Sequence, residues 1–258
     1  GAPTIIFEAG MDPYGHLSWY KVQEEVSSFA TTVSYDRAGI LWSERGRNPK
    51  SSESITTDLS KLLVNGNYPK PYVVVGHSLA GITLRKFIEN HKNDIAGVVL
   101  VDVSHPDQAE IRPPKVPPRL VMNLMNSFGL IRFTSSRQMP NTEPMDRINL
   151  VASSLIHRSI GGMFEEAENV TALSADAKTV ESFGAIPLIV ISATGFTQIV
   201  TSSNYELVQQ RIQMQKDLLS LSTESRQILA SGSTHYVQLE EPNIVIDAIA
   251  DIVTRTGD

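Results

Sequence analysis

The sequence contains no cysteine among its 258 residues, and this absence removes several kinds of chemistry. Disulfide bonds, thiolate metal sites and cysteine nucleophiles all require a sulfur atom that the chain does not have. Long apolar runs are missing as well. No stretch approaches the roughly 18 consecutive apolar residues that a transmembrane helix needs, so we expect no membrane span.

An excess of positive charge is also lacking, since 28 acidic residues outnumber 22 basic ones and the net charge is −6. An acidic surface gives no electrostatic reason to expect nucleic acid or an anionic membrane as a partner. With 41% apolar and 19% charged residues, the composition is that of a globular chain. The first residue is Gly1 rather than methionine, which indicates a processed or trimmed start. Both a cytoplasmic and a secreted location therefore stay open, as does the oligomeric state.

Short apolar runs rich in valine and isoleucine alternate with helical stretches along the chain. The runs lack the polar alternation of half-exposed strands, and this is typical of strands buried on both faces of a parallel sheet. The alternation predicts an α/β fold, in which helices flank a mostly parallel sheet. The predicted strands are Thr4–Phe7, Thr32–Tyr35, Tyr72–Val75, Gly97–Val103, Pro187–Ser192 and Arg226–Ala230. The predicted helices are Ile55–Val64, Leu79–His91, Tyr205–Leu221 and Asn243–Val253.

Residues 106–184 interrupt this alternation, because they are far more numerous than a single crossover between strands requires. We predict that they form a helical cap inserted before the penultimate strand, on a core made of residues 1–105 and 185–258. Flexible methionine side chains adapt to varied ligands, so those of the cap are candidates for the wall of an apolar substrate pocket. Alternatively, each of these methionine side chains only packs on the core. The candidates are Met122, Met125 and Met145.

The segment Gly76-His77-Ser78-Leu79-Ala80 lies between a predicted buried strand and a predicted helix. This is the context that a G-x-S-x-G nucleophile elbow requires, with the serine hydroxyl exposed in a sharp turn above the strand ends. Alanine replaces the last glycine of the pattern but is still small. We predict Ser78 to be a nucleophile; the alternative is a serine that only caps the helix.

With this motif, the chain resembles the α/β-hydrolase superfamily over nearly its whole length. Thr4–Gly10 resembles the strand and oxyanion loop of that family. Tyr35–Gly39 resembles its Asp-Arg-x-Gly turn, although Leu41 stands where that turn often has a second glycine. The family usually has two strands before the oxyanion strand, and these are absent. We expect either that they were cut away or that the sheet has only about six strands.

The resemblance implies a catalytic triad in the order serine, acid, histidine, with the histidine on the loop after the last strand. Six histidines compete for this role. His235 follows the last predicted strand, and parallel strands bring their carboxyl ends to one edge of the sheet. We therefore predict that His235 accepts the proton of Ser78.

The triad acid is less evident, because the stretch that follows the fifth strand in many members, residues 192–198, holds no carboxylate. The alternative position is the end of the preceding strand. Asp102 lies there, and it resembles the acid of some haloalkane dehalogenases. We predict Asp102 as the partner of His235, with Asp107 and Glu110 in reserve. An aspartate at this position can also serve only to bond nearby backbone.

The resemblance further implies that the backbone N–H groups of Leu79 and Met11 form the oxyanion hole. We expect two-step hydrolysis of a small, apolar carboxylic ester through an acyl-enzyme, without a metal or organic cofactor. A serine at position 78 argues against dehalogenase or epoxide hydrolase chemistry, for which the family uses aspartate there. Hydrolysis of lactones, amides, thioesters or carbon–carbon bonds is the nearest alternative, and a ligand-binding protein without turnover is the next.

Overall fold

A six-stranded, all-parallel sheet lies at the centre of the molecule, with strand order β2-β1-β3-β4-β5-β6. The computed structural model describes residues 3–46, 50–111, 145–195, 197, 201 and 204–257. All six predicted strands are present, which confirms the predicted α/β class with its mostly parallel sheet. Their bounds are Thr4–Glu8 (β1), Thr31–Ser34 (β2), Tyr72–His77 (β3), Ile95–Val101 (β4), Leu188–Ala193 (β5) and Ser225–Ala230 (β6).

Helices connect these strands and cover both faces of the sheet. Their bounds are Tyr20–Val26 (α1), Ser52–Asn65 (α2), Ala80–Asn90 (α3), Gln108–Ile111 (α4), Met145–Lys178 (α5), Tyr205–Asp217 (α6), Val237–Glu240 (α7) and Pro242–Gly257 (α8). Short 3₁₀ turns lie at Gly15–Trp19, Lys92–Asp94 and Leu218–Leu221. Across the described ranges, no helix combines the length and the apolar character needed to cross a bilayer.

Two apolar layers form the core, one on each face of the sheet. Because successive side chains of a strand point to opposite faces, each central strand contributes to both layers. Val74 of β3 packs in the layer that contains Leu84 and Phe87 of α3. Its neighbour Val73 packs in the layer that contains Ile249 of α8. This double burial explains why the central strands have continuous apolar sequences.

The two edge strands differ from the expectation that all six strands are buried on both faces. β2 and β6 each have one hydrogen-bonded neighbour in the sheet, and most of their side chains are partly or fully exposed. Leu229 of β6, for example, is 60% exposed. An edge strand lacks the second flanking strand that would help to cover its side chains, and the apolar run alone does not reveal this position.

The long helix α5 lies between β4 and β5 in the sequence, within the segment predicted to be a cap. Towards its C-terminal end, Val170, Leu173 and Ala177 pack in one cluster with Leu79 and Ile82 at the start of α3. This part of α5 therefore lies against the sheet domain. The division into a core and a cap of residues 106–184 stays a prediction.

Candidate functional site

The turn after β3 holds Ser78 in a conformation that side chains rarely adopt. Its φ angle is +54°, in the left-handed region that costs energy for residues other than glycine. The turn is also very tight, because a Cβ atom added to Gly76 would lie 2.8 Å from the Cβ of Ala80. Glycine at position 76 thus makes room for the alanine that replaces glycine at position 80. The geometry is that of a nucleophile elbow.

Ser78, His235 and Asp102 form one chain of hydrogen bonds. The Ser78 Oγ atom lies 3.1 Å from His235 Nε2, and His235 Nδ1 lies 2.6 Å from Asp102 Oδ2. A carboxylate accepts hydrogen bonds, so Nδ1 carries a proton and the neutral ring presents a lone pair on Nε2 to the serine hydroxyl. In the sequence, His235 is 157 positions from Ser78 and 133 positions from Asp102, so only folding brings the three residues together.

Asp102 lies directly after β4 and is 2% exposed, with a φ angle of +42°. Its Oδ1 atom accepts a hydrogen bond of 3.1 Å from the backbone N–H of Ala193, at the end of β5. The two reserve acids lie elsewhere, because Asp107 and Glu110 both form ion pairs with Lys178. Asp102 therefore supplies the carboxylate that accepts the hydrogen bond from the His235 ring.

A second side chain, this one a cation, reaches the same carboxylate, and the sequence did not indicate it. The Arg211 guanidinium, on α6, donates through Nη2 to Asp102 Oδ2, the oxygen that also accepts from His235. A buried carboxylate needs such compensation, because its transfer from water is costly unless it is paired. Arg211 lies 109 positions from Asp102 and carries no local motif, so only the folded arrangement of α6 over β4 and β5 reveals the pair.

His77, which directly precedes Ser78, contacts both the backbone and the ring of His235. It is 1% exposed, and burial above all, with a smaller effect of the nearby His235 and Arg211 side chains, holds its pKa well below the ordinary value. A neutral ring has one N–H, and His77 Nε2 lies 3.1 Å from the backbone carbonyl oxygen of His235, to which it donates. The rings of His77 and His235 are stacked obliquely, with centroids 4.6 Å apart.

The loop after β1 lies directly against Ser78. A Cβ atom added to Gly10 would come within 2.8 Å of the Ser78 Cβ, so the backbone approaches the serine as closely as glycine allows. Met11 follows, and its side chain packs against the cluster that contains Leu79. Within the described ranges, no acceptor is found for the backbone N–H of either Met11 or Leu79.

Asp12 is a buried carboxyl group next to this loop. Its Oδ1 accepts hydrogen bonds from the backbone N–H groups of Tyr14 (2.8 Å) and Gly15 (3.2 Å). Burial raises the pKa of Asp12 from 3.8 to about 6, although these hydrogen bonds and the charge of Arg37 act in the opposite direction. The sequence showed only an aspartate after a glycine-containing loop, which is a common turn feature.

A cavity of about 400 Å³ opens beside Ser78 and His235. Its wall combines amide and hydroxyl groups with apolar side chains, chiefly from α6. Met122 and Met125, the predicted pocket residues, lie outside the described residues, and Met145 is described only by its place at the start of α5. A larger cavity of about 750 Å³ lies between α2 and the segment after β2, away from Ser78. The wall of the smaller cavity includes Ser104, Gln108, Ile111, Leu207, Val208, Gln210, Met214 and Gln215.

No cluster of three or more histidine or acidic side chains that could hold a metal ion occurs in the part of the chain that the structure describes. The polar groups next to the cavity are instead a hydroxyl, an imidazole, a carboxylate and a guanidinium. This set suits proton transfer and nucleophilic attack on an electrophilic carbon atom.

Comparison with known proteins places the chain in a family. The sequence pattern of the alpha/beta hydrolase fold family matches residues 3–242, and the protein belongs to this family. An uncharacterised protein of Bacillus subtilis (strain 168), YqjL, is 26% identical over 251 residues, which are 96% of this chain and 83% of YqjL.

Solved structures share the fold at low sequence identity. A thermophilic esterase from Thermogutta terrifontis, with malate bound, matches 99% of this chain and 90% of its own with a TM-score of 0.65 and 16% identity. The epoxide hydrolase CorEH, without ligand, matches 99% of this chain and 92% of its own with a TM-score of 0.69 and 17% identity. These neighbours show the shared fold, and because they are named for different activities the fold alone does not define the reaction.

Proposed function

We propose that the protein is a serine hydrolase that cleaves small carboxylic esters through an acyl-enzyme. The observation that carries this proposal is the chain of hydrogen bonds from Ser78 Oγ through His235 to Asp102 Oδ2. A serine hydroxyl is a poor nucleophile unless a base accepts its proton during attack. A neutral imidazole, oriented by a buried carboxylate, is such a base.

The proposed reaction proceeds in two steps. Ser78 Oγ attacks the ester carbonyl carbon while His235 Nε2 accepts the hydroxyl proton, which it then passes to the departing alcohol. Water attacks the resulting acyl-serine with His235 again as base, and the acid is released as Ser78 regains its proton. Asp102 stabilises the transient imidazolium. The N–H groups of Leu79 and Met11 stabilise the oxyanion of each tetrahedral intermediate.

The choice of an ester rests on the nucleophile. An attack by a hydroxyl group on an ester gives an acyl-serine ester that water can cleave. Epoxide hydrolases and dehalogenases of this family use an aspartate in the position of Ser78, and this chain has none there. The cavity of about 400 Å³ beside Ser78 would admit a small substrate. We also propose that residues 106–184 act as a cap over this cavity.

The experiment compares the release of nitrophenol from short-chain nitrophenyl esters by the parent protein and by Ser78→Ala. We expect Ser78→Ala to lose at least about a thousandfold in kcat, whereas Ser220→Ala, which changes an exposed serine, should keep the parent rate. Labelling of the parent, but not of Ser78→Ala, by a fluorophosphonate would independently identify the reactive hydroxyl.

Two outcomes would favour other functions. Turnover of lactones, thioesters, amides or a carbon–carbon bond, with esters inert and Ser78 still required, would keep the mechanism and change the substrate. If the parent released no more product than Ser78→Ala with any of these substrates, the proposal of an enzyme would be wrong. A ligand-binding protein would then be the better interpretation.

A further inference from the structure

Four charged side chains are buried together behind the loop that follows β1. Glu8, Arg37, Lys50 and Glu166 are each at most 7% exposed. Two are basic and two are acidic, so their charges cancel within the group, which we call the buried quartet. Burying ions is costly unless their charges compensate one another. A group of buried ions can also serve to hold neighbouring backbone in one position. The mechanism described above does not use these residues.

Arg37 is the centre of the buried quartet. Its Nε and Nη2 atoms donate to the two carboxylate oxygens of Glu166 at 2.9 Å and 3.0 Å, which is a bidentate ion pair. Lys50 Nζ donates to Glu166 Oε1 at 2.6 Å. Burial alone would raise the pKa of Glu166, but the charges of Arg37 and Lys50 outweigh burial and lower it. Glu166 is therefore ionised and holds the guanidinium in one orientation.

The remaining contacts of Arg37 are with Glu8, whose Oε1 atom lies 3.5 Å from Nη1, and with the backbone of the loop. Nη1 donates to the carbonyl oxygen of Ala9, and Nη2 donates to that of Gly10 at 2.8 Å. In a planar trans peptide the C=O and the next N–H point in opposite directions. A carbonyl group of Gly10 that faces Arg37 therefore turns the N–H of Met11 away from Arg37. The same residue lies against Ser78, since a Cβ atom added to Gly10 would lie 2.8 Å from the Ser78 Cβ.

We propose that Arg37 is the positioning residue of the oxyanion hole. By holding the carbonyl of Gly10, the guanidinium aims the N–H of Met11 at the acyl oxygen of a substrate bound to Ser78. This inference rests on the proposed function. It adds that the orientation of the Met11 N–H depends on the ion pair between Arg37, in the turn after β2, and Glu166, in helix α5. A donor pre-oriented in this way loses no orientational freedom during the reaction, which is the property that makes such donors effective.

The test replaces Arg37 by lysine, which keeps one charge but cannot bond Glu166 in a bidentate manner while holding two carbonyl groups. The matched control is Arg85→Lys. Arg85 is equally buried and, like Arg37, bonds backbone carbonyls, but these are the carbonyls of Gly81 and Ala177, neither of which lies in the β1 loop. Circular dichroism and thermal unfolding first establish that both variants fold.

Two quantities are then measured, the kinetics with a nitrophenyl ester and the inhibition constant of an alkylboronic acid, which forms a tetrahedral adduct with the serine. For Arg37→Lys we expect kcat to fall about 10- to 100-fold and KM to change little, because a misplaced oxyanion donor weakens only the transition state. The boronic acid should bind more weakly by a similar factor. Arg85→Lys should change neither quantity by more than about twofold.

Each outcome decides the proposal. A parallel loss of kcat and boronic acid affinity in Arg37→Lys alone supports it. Equal losses in both arginine variants, or a loss confined to KM, overturn it while leaving the proposed function intact. A parent protein that neither hydrolyses an ester nor reacts with a fluorophosphonate at Ser78 overturns both. If Arg37→Lys does not fold, Glu166→Asp decides in its place, because it keeps the charge but shortens the anchor of the guanidinium; unchanged boronic acid affinity there overturns the proposal.

Discussion

His77 Nε2 donates a hydrogen bond of 3.1 Å to the backbone carbonyl oxygen of His235. The residue that precedes the proposed nucleophile thus holds the main chain of the proposed base, although the two are 158 positions apart. Because burial keeps the His77 ring neutral, it can serve as a donor at this point without placing a positive charge beside the His235 ring. The nucleophile turn and the loop after β6 are joined by this bond as well as by the contact between Ser78 and His235.

The first prediction concerns this bond. His77→Phe keeps an aromatic ring in the buried site but removes the donor, so the loop that carries His235 loses one anchor. We expect kcat for a nitrophenyl ester to fall roughly five- to tenfold, because a hydrogen bond of this kind is worth about 1 kcal/mol. His77→Gln, which retains an N–H donor, should recover part of the loss. Parent-like kcat in His77→Phe would contradict the positioning role of this bond.

The second prediction concerns the carboxylate. Asp102→Asn retains an oxygen that can accept from the backbone N–H of Ala193, but its amide cannot stabilise an imidazolium. We expect kcat to fall by about 10³- to 10⁴-fold with little change in KM, as in triads whose aspartate is replaced by asparagine. Steady-state kinetics with a nitrophenyl ester measure this. A loss of less than about tenfold would show that another carboxylate serves His235, since a triad acid contributes far more.

The third prediction concerns stability and pH. The pKa of Asp12 is raised to about 6 in the folded protein, from 3.8. A raised carboxyl pKa means that the folded state holds the proton more tightly, so the contribution of Asp12 to stability is complete below pH 3.8 and is lost as the pH rises through 6. The full loss is about 3 kcal/mol, since each pKa unit corresponds to about 1.4 kcal/mol.

Asp12→Asn tests this directly, because an amide keeps an oxygen for the N–H groups of Tyr14 and Gly15 but never ionises. Urea unfolding at pH 4 and pH 7.5 should show that the variant gains stability relative to the parent as the pH rises. Asp58→Asn, which changes an exposed carboxylate but keeps Asp12, serves as the control, and its difference in stability from the parent should be nearly the same at both pH values. An equal difference between Asp12→Asn and the parent at both pH values would refute the assigned direction.

The fourth prediction distinguishes two reasons why a position requires glycine, which are lack of space for a Cβ atom and a positive φ angle. A Cβ on Gly81 would lie 2.5 Å from the Cβ of Val103 and 2.8 Å from the carbonyl oxygen of Ser104, next to Asp102. Gly184 has open space around it but a φ angle of +76°. Each change to alanine should cost about 1–3 kcal/mol in urea unfolding, one through crowding and the other through backbone strain. Only Gly81→Ala should also reduce kcat, because it displaces the segment that carries Asp102.

The central sheet was predictable because burial on both faces demands apolar residues at every position of a strand. Val73, Val74 and Val75 show this directly, since alternate residues pack into opposite layers and all three are fully buried. The helix α1 was not predicted. It is only seven residues long, and Val22 and Val26 are its buried positions, too few to produce a clear periodic pattern.

The nucleophile turn could be predicted for a different reason, since a strand, a sharp turn and a helix follow one another within a dozen residues. The partners of the charged groups could not be predicted in this way. Arg211 and Asp102 are 109 positions apart, and Arg37 and Glu166 are 129 apart. Neither pair leaves a spacing or a composition that distinguishes it from ordinary surface charges. The catalytic roles of Ser78, His235 and Asp102 stay predictions until the variants are measured.

The charge balance of the buried quartet has a consequence for how the sequence can vary. Neutralising one of its members leaves an uncompensated ion among side chains that are at most 7% exposed, at a cost of several kcal/mol. Replacing an acid and its basic partner together by apolar residues of similar volume avoids that cost. In a library of variants selected for folding alone, Arg37 and Glu166 should therefore change as a pair, whereas selection for turnover should retain both.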